Sequence, residues 1–168
     1  RPRPGSYAGR VTAHDPHWPT ASDWLAGADA DPQLMVTGLP TSVGSISPSD
    51  AWRTPAALRR MLAKFATFDA ETGADLRDLR VGDRGDLLLA HLGAEDAVAA
   101  LAENGGALPR QATHVFVGGD NLVTFPIAAH LPHASLDRLG VVTFDAHHDV
   151  REFTDGRPAD DDRTLFVL

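Results

Sequence analysis

Apolar residues fall along this chain in short blocks whose period switches between that of a strand and that of a helix. Leu34-Met-Val-Thr-Gly38 is a continuous apolar run closed by Leu-Pro, the pattern of a strand covered on both faces. A polar loop punctuated by Gly and Pro follows at 41–50. Thr54 is expected to cap a helix with Pro55 at its first position, and Ala57, Leu58, Met61, Leu62 and Phe65 recur as one apolar stripe. Residues 79–86 read as a second strand and turn. Residues 94–103 form an alanine-rich helix with Ala97, Val98 and Leu101 on one face, stopped by Asn104-Gly-Gly106. Thr113-His-Val-Phe-Val117 is a third strand, residues 122–131 a further helix, and Val141-Val-Thr-Phe144 a fourth strand. Before this regular region, residues 1–33 are rich in Pro, Asp, Trp and His without periodicity. They read as an irregular arm with one helical turn near residues 22–26, its tryptophans buried against the domain.

Strands alternating with helices imply βαβ units and hence a mainly parallel sheet covered on both faces, a three-layer α/β/α arrangement over residues 34–168. Parallel neighbours require a long crossover, which residues 121–145 supply. Ligands in such sheets bind at the carboxyl ends of strands, and two polar clusters fall at such ends: Gly118-Gly-Asp-Asn121 and Asp145-Ala-His-His-Asp149. If the strands before them are neighbours, both clusters face one crevice.

Composition narrows the chemistry. The 168 residues suffice for one core and are few for two domains. Asp and Glu number 23 against 15 Lys and Arg, a formal charge of −8, so nucleic acid and anionic membrane are disfavoured as partners. With 0 Cys, disulfides, thiolate zinc sites and thiol nucleophiles are excluded. No run is long enough for a membrane helix, and residues 1–5 lack the apolar core of a signal peptide, so a cytoplasmic location is the default expectation. The missing initiator Met points to an N-terminus trimmed or lying outside the sequence.

Asp145, His147 and Asp149 bring carboxylate and imidazole donors close together after an apolar run with no nearby cation, which suits a divalent metal. The bland alternative is a solvated loop whose acids cap a following helix. His148, between the alternating donors, reads as a loop or supporting residue. Gly118-Gly-Asp-Asn121 also has an ordinary reading, a tight strand-to-helix turn in which Asp120 or Asn121 is an N-cap. Its glycine spacing matches neither common phosphate-binding loop. The remaining histidines are scattered without ligand spacing.

Taken together, Val117-Gly-Gly-Asp-Asn121 and Thr143-Phe-Asp-Ala-His-His-Asp-Val-Arg151 resemble the ureohydrolase family, which includes arginase, agmatinase and formimidoylglutamase. Softer matches upstream are Gly38-Leu-Pro40, Thr54-Pro-Ala-Ala-Leu-Arg59 and Val81-Gly-Asp-Arg-Gly-Asp86. The resemblance implies an arginase-like α/β/α fold with two Mn2+ ions, Asp145 bridging them, Asp149 completing the first and His147 the second. It further implies that a metal-bridging hydroxide attacks a linear amidine or guanidine and that an amine or ammonia leaves. The small-molecule substrate leans to N-formimino-L-glutamate, and the full-length form is expected to be a homo-oligomer. Asn121 stands where the family has a metal-binding histidine, and Asp120 is expected in support beside it. The family's later Asp-x-Asp-x-x-Asp segment has no counterpart, since residues 160–162 read as a solvated acidic loop. The chain is therefore expected to hold part of the site, with weak metal binding and no detectable hydrolysis on its own. A non-catalytic ureohydrolase-like subunit that binds a partner is the alternative. A metallophosphatase is disfavoured because its Asp-x-His precedes the Gly-Asp segment.

Overall fold

The computed structural model describes residues 18–27, 29–45, 47–106, 108–124, 127, 140, 142, 144–145, 153–154 and 157–158. Three parallel strands form its centre: β1 (Leu34–Leu39), β2 (Val81–Asp86) and β3 (Thr113–Gly118), in the spatial order β2-β1-β3. Leu34 lies opposite Val81 on one side and Thr113 on the other. β1 is central because it carries the longest buried apolar run, which only a strand paired on both edges and covered on both faces accommodates. The chain leaves β1 toward β2 on one side and returns to β3 on the other. The strand order therefore reverses between β1 and β3, where α/β sheets open a ligand crevice at their carboxyl edge.

Alternation along β1 and β3 sorts the core into two layers. Leu39 and Phe116 face a cluster with Leu89, Leu101 and Ile127, built on α3 (Ala94–Gly106). Val36 and Val117 face the opposite cluster with Val81 of β2, Trp24 and Leu25 of α1 (Ala21–Ala26) and Leu62 of α2 (Thr54–Leu62). This is the expected three-layer α/β/α arrangement. α1 is a short helix held by a reciprocal box: the Thr20 hydroxyl accepts from the Asp23 amide, and the Asp23 carboxylate accepts from the Thr20 amide.

Several details differ from the sequence reading. Thr54 is the first residue of α2 rather than its cap, because a 3-10 turn at Ala51–Arg53 runs directly into the helix. The α2 stripe is only partly covered: Leu62 packs inward, while Leu58, Met61 and Phe65 are exposed. Trp24 does anchor its segment, packing in the core and donating its indole N–H to the Leu79 carbonyl at 3.0 Å, but Trp18 and Trp52 are exposed. α3 runs through Asn104 and on to Gly106 rather than stopping at the glycines.

The fourth strand is not seen at its described positions. Val142 and Phe144 lie outside any strand and are 82% and 97% exposed. An apolar run identifies a segment that needs a neighbouring strand and two covering layers; it cannot itself supply them, and β3 has no further partner among the described strands. A short antiparallel pair, β4 (Phe153–Thr154) with β5 (Arg157–Pro158), was not signalled by the pattern. Residues 160–162 lie outside the described residues.

Candidate metal centre at the strand-order reversal

The loop after β1 and the turn after β3 meet where the strand order reverses, and they are joined along their backbones. The Gly119 amide donates to the Leu39 carbonyl at 3.0 Å, and the Asp120 amide donates to the Thr41 carbonyl at 3.2 Å. These bonds continue the β1–β3 ladder past the end of the strands. The approach is so close that a side chain at Gly119 would overlap the Thr41 carbonyl oxygen, with the carbonyl carbon at 2.8 Å and the Thr41 nitrogen at 2.9 Å. Glycine is required here for proximity rather than for an unusual φ.

Asp120 completes the junction with its side chain. One carboxylate oxygen, Oδ2, accepts from the Gly44 amide at 2.7 Å and from the Ser45 hydroxyl at 3.4 Å. The other, Oδ1, is buried and has no hydrogen-bond partner among the described residues. The ordinary capping role therefore does not hold: Asp120 precedes the 3-10 turn Asn121–Val123 but makes no side-chain cap. Its carboxylate serves the loop 76 positions earlier. Thr41 and Leu122, both buried, close the junction from beneath, and a side chain at Gly44 would stand 2.9 Å from the Leu122 Cβ.

Of the donors singled out from the sequence, Asn121 sits at this junction, on the first residue of the 3-10 turn, and is exposed. Of the helix expected over residues 122–131, the described part begins as that turn, and Thr124 and Ile127 are helical; its other residues lie outside the described ones. Asp145 is also exposed. His147, His148 and Asp149 lie outside the described residues. Among the described residues no group of three His, Asp or Glu side chains is placed to hold one ion. The chemistry of the donor set nevertheless fits Mn2+: Asn121 and Asp145 offer hard oxygen donors, and His147 and Asp149 add an imidazole and a second carboxylate by sequence.

A second polar cluster lies at the same carboxyl edge, on β2, and sequence reasoning noted its two segments without joining them. The Arg59 guanidinium of α2 grips Asp83 through two bonds of 2.8 Å, Nε to Oδ2 and Nη2 to Oδ1, while Nη1 donates to Asp86. The fork geometry matches a carboxylate as an ammonium could not. The hydrogen bond from Arg59 holds the Asp83 carboxyl below its ordinary value, and the Gly85 amide, donating to Asp83 Oδ1 at 2.8 Å, acts in the same direction. Glycine at position 38 makes room for this cluster, since a Cβ there would overlap the Asp86 carboxylate and stand 2.9 Å from Pro55 Cβ. The signal available in the sequence was Arg59 and the Asp-x-x-Asp spacing of 83 and 86, both already part of the upstream matches.

Comparison with known proteins bears on this arrangement. Residues 32–161 match the arginase family. The formimidoylglutamase of Halobacterium salinarum is 35% identical over 83% of this chain and 44% of its own length. That of Halalkalibacterium halodurans is 33% identical over 72% of this chain and 39% of its own. The crystal structure of formimidoylglutamase from Bacillus subtilis superimposes with a TM-score of 0.72 at 25% identity, covering 91% of this chain and 49% of that one. Trypanosoma cruzi formiminoglutamase, solved with Mn2+, superimposes at 0.70 with 23% identity over 84% of this chain and 49% of that one. The chain thus spans less than half the length of these relatives. With its parallel three-layer fold, its Gly-Gly-Asp-Asn and Asp-Ala-His-His-Asp segments, and a family match over most of its length, the chain belongs to the arginase family.

Proposed function

We propose that this chain contributes to a manganese-dependent hydrolase of linear amidines, with N-formimino-L-glutamate as the favoured substrate. The observation that carries the reading is the junction at the strand-order reversal, which presents Asn121 at the edge where α/β folds bind ligands. The relatives named formimidoylglutamase and the T. cruzi structure with Mn2+ support both the substrate and the metal. Asp145, His147 and Asp149 would hold the metal, with Asn121 as a neutral oxygen donor. Bound there, manganese would supply Lewis acidity and lower the pKa of a coordinated water. The chain's own contribution is orientation. Hydrogen bonds from Gly119 and Asp120 fix the turn bearing Asn121 on β1, so that donor is presented from a rigid element. Hydrolysis adds water across the amidine C–N bond; the amine of glutamate leaves and formamide forms.

The test is to purify the natural protein carrying these residues with Mn2+ and follow glutamate release from N-formimino-L-glutamate, with agmatine as comparison. Bound manganese should be quantified in parallel by elemental analysis. Turnover of N-formimino-L-glutamate over agmatine is the expected result. Bound manganese without turnover of either compound would overturn the substrate assignment, and failure to retain manganese would overturn the metal. A second reading, a non-catalytic relative that binds without turnover, is favoured by one observation: Asn121 offers a weaker ligand than the histidine of the family pattern.

A further inference from the structure

The loop that follows β1 is hydroxyl-rich, and its attachment to the turn after β3 is more elaborate than chain connection requires. Two backbone bonds already join the elements, yet a carboxylate is added: Asp120 Oδ2 accepts from Gly44 at 2.7 Å and from Ser45 at 3.4 Å. A surface loop can satisfy one amide and one hydroxyl with water, so committing a carboxylate to them, with its Oδ1 buried and unpartnered among the described residues, costs desolvation for no evident gain in folding. The bond fixes the position of residues 41–45 relative to Asn121. Three further features hold that position: Thr41 Oγ1 accepts from the Val43 amide at 3.4 Å, Ser42 Oγ accepts from the Trp52 amide at 2.9 Å, and Gly44 has no room for a side chain beside Leu122. Loops placed at the carboxyl edge of a rigid sheet are where such folds recognise ligands.

We infer that residues 41–45 form a wall of the substrate pocket and that Asp120 is the positioning residue that clamps this wall beside Asn121. The inference rests on the proposed function for the identity of the ligand, a linear amidine. Asp120 touches neither substrate nor metal in this role. It acts through Gly44 and Ser45, so its loss should loosen substrate binding while leaving metal binding and the chemical step near their normal values.

The experiment compares Asp120→Ala and Asp120→Asn with the unaltered natural protein. Amide hydrogen exchange is measured at Gly44, the affinity for N-formimino-L-glutamate by calorimetry on manganese-loaded protein, bound manganese by elemental analysis, and kcat and KM where turnover occurs. In Asp120→Ala, Gly44 exchange should rise at least tenfold, and substrate affinity should fall by roughly tenfold or more, the size of a lost charge-assisted hydrogen bond. Manganese content should stay unchanged and kcat within about threefold. Asp120→Asn keeps a carbonyl acceptor for the Gly44 amide and should recover most of the protection and the affinity, which a general loss of stability would not allow. Faster exchange with unchanged affinity would overturn the inference, because the loop would then be no wall. So would a fall in manganese content or in kcat alone, which would place Asp120 with the metal. If unaltered protein binds N-formimino-L-glutamate without turning it over and Asp120→Ala weakens that binding, the clamp stands and the hydrolase reading falls. Absence of binding by unaltered protein overturns the clamp as well.

Discussion

Replacing Arg59 by methionine removes the guanidinium and keeps most of the aliphatic stem, so the loss reports the ion cluster rather than packing. Arg59 and Asp83 are 25% and 21% exposed in their side chains and Asp86 is 37% exposed, so the cluster is half-buried and partly screened. Removing one partner of a fully buried pair costs about 3–5 kcal/mol, whereas exposed pairs contribute up to about 1 kcal/mol. Here the substitution also leaves two carboxylates on β2 without their cation, and we place the cost at about 2–3 kcal/mol at neutral pH. Its pH dependence follows from the direction of the Asp83 shift. The folded carboxyl is held below its ordinary value by Arg59, so its contribution is complete above the unfolded value of about 4 and is lost as pH falls through the lower, folded value. In Arg59→Met that depression disappears, and protonation relieves the repulsion between Asp83 and Asp86. The difference between the two proteins should therefore shrink once the pH falls below about 4. Urea unfolding followed by circular dichroism at neutral pH and again near pH 3.5 gives both values, provided the slope with urea is unchanged. Arg59→Lys should recover less than half of the loss, because an ammonium cannot make the paired bonds to Asp83. A deficit that is the same at both pH values, or full recovery by lysine, would refute the electrostatic account.

Other substitutions probe the remaining parts of the argument. Gly119→Ala should cost about 3 kcal/mol or more, because the methyl overlaps the Thr41 backbone and separates two bonded segments, and a midpoint within 0.5 kcal/mol of the parent would contradict the close approach. Leu101→Ala empties the centre of the cluster beneath β1 and should cost about 2–5 kcal/mol in the same unfolding assay, whereas Leu58→Ala on the exposed side of α2 should cost well under that. His147→Ala should lower manganese content with little change in thermal midpoint of the metal-free protein; retention of full manganese would remove His147 from the proposed ligand set.

Much of this protein was legible from its sequence because the relevant rules are local. The apolar run at residues 34–38, the alternation around 113–117 and the spacing of Ala97 and Leu101 specify element types through side-chain periodicity alone, and the long helix-bearing connections between the strands point to a parallel sheet. The Gly-Gly-Asp-Asn and Asp-Ala-His-His-Asp segments likewise point to the arginase family through residue type and order. Tertiary structure decided which segments meet. Nothing local to Asp120 says that its carboxylate serves Gly44 rather than its own turn, and nothing local to Arg59 says that it grips Asp83 and Asp86 across the α2–β2 contact. Whether a stripe is covered is equally non-local, which is why Leu58, Met61 and Phe65 share a helical pattern with Leu62 and yet stay exposed. Periodicity is a property of a segment; a hydrogen bond between residues 44 and 120, or the burial of one helix face, is a property of two segments and exists only once the sheet has brought them together.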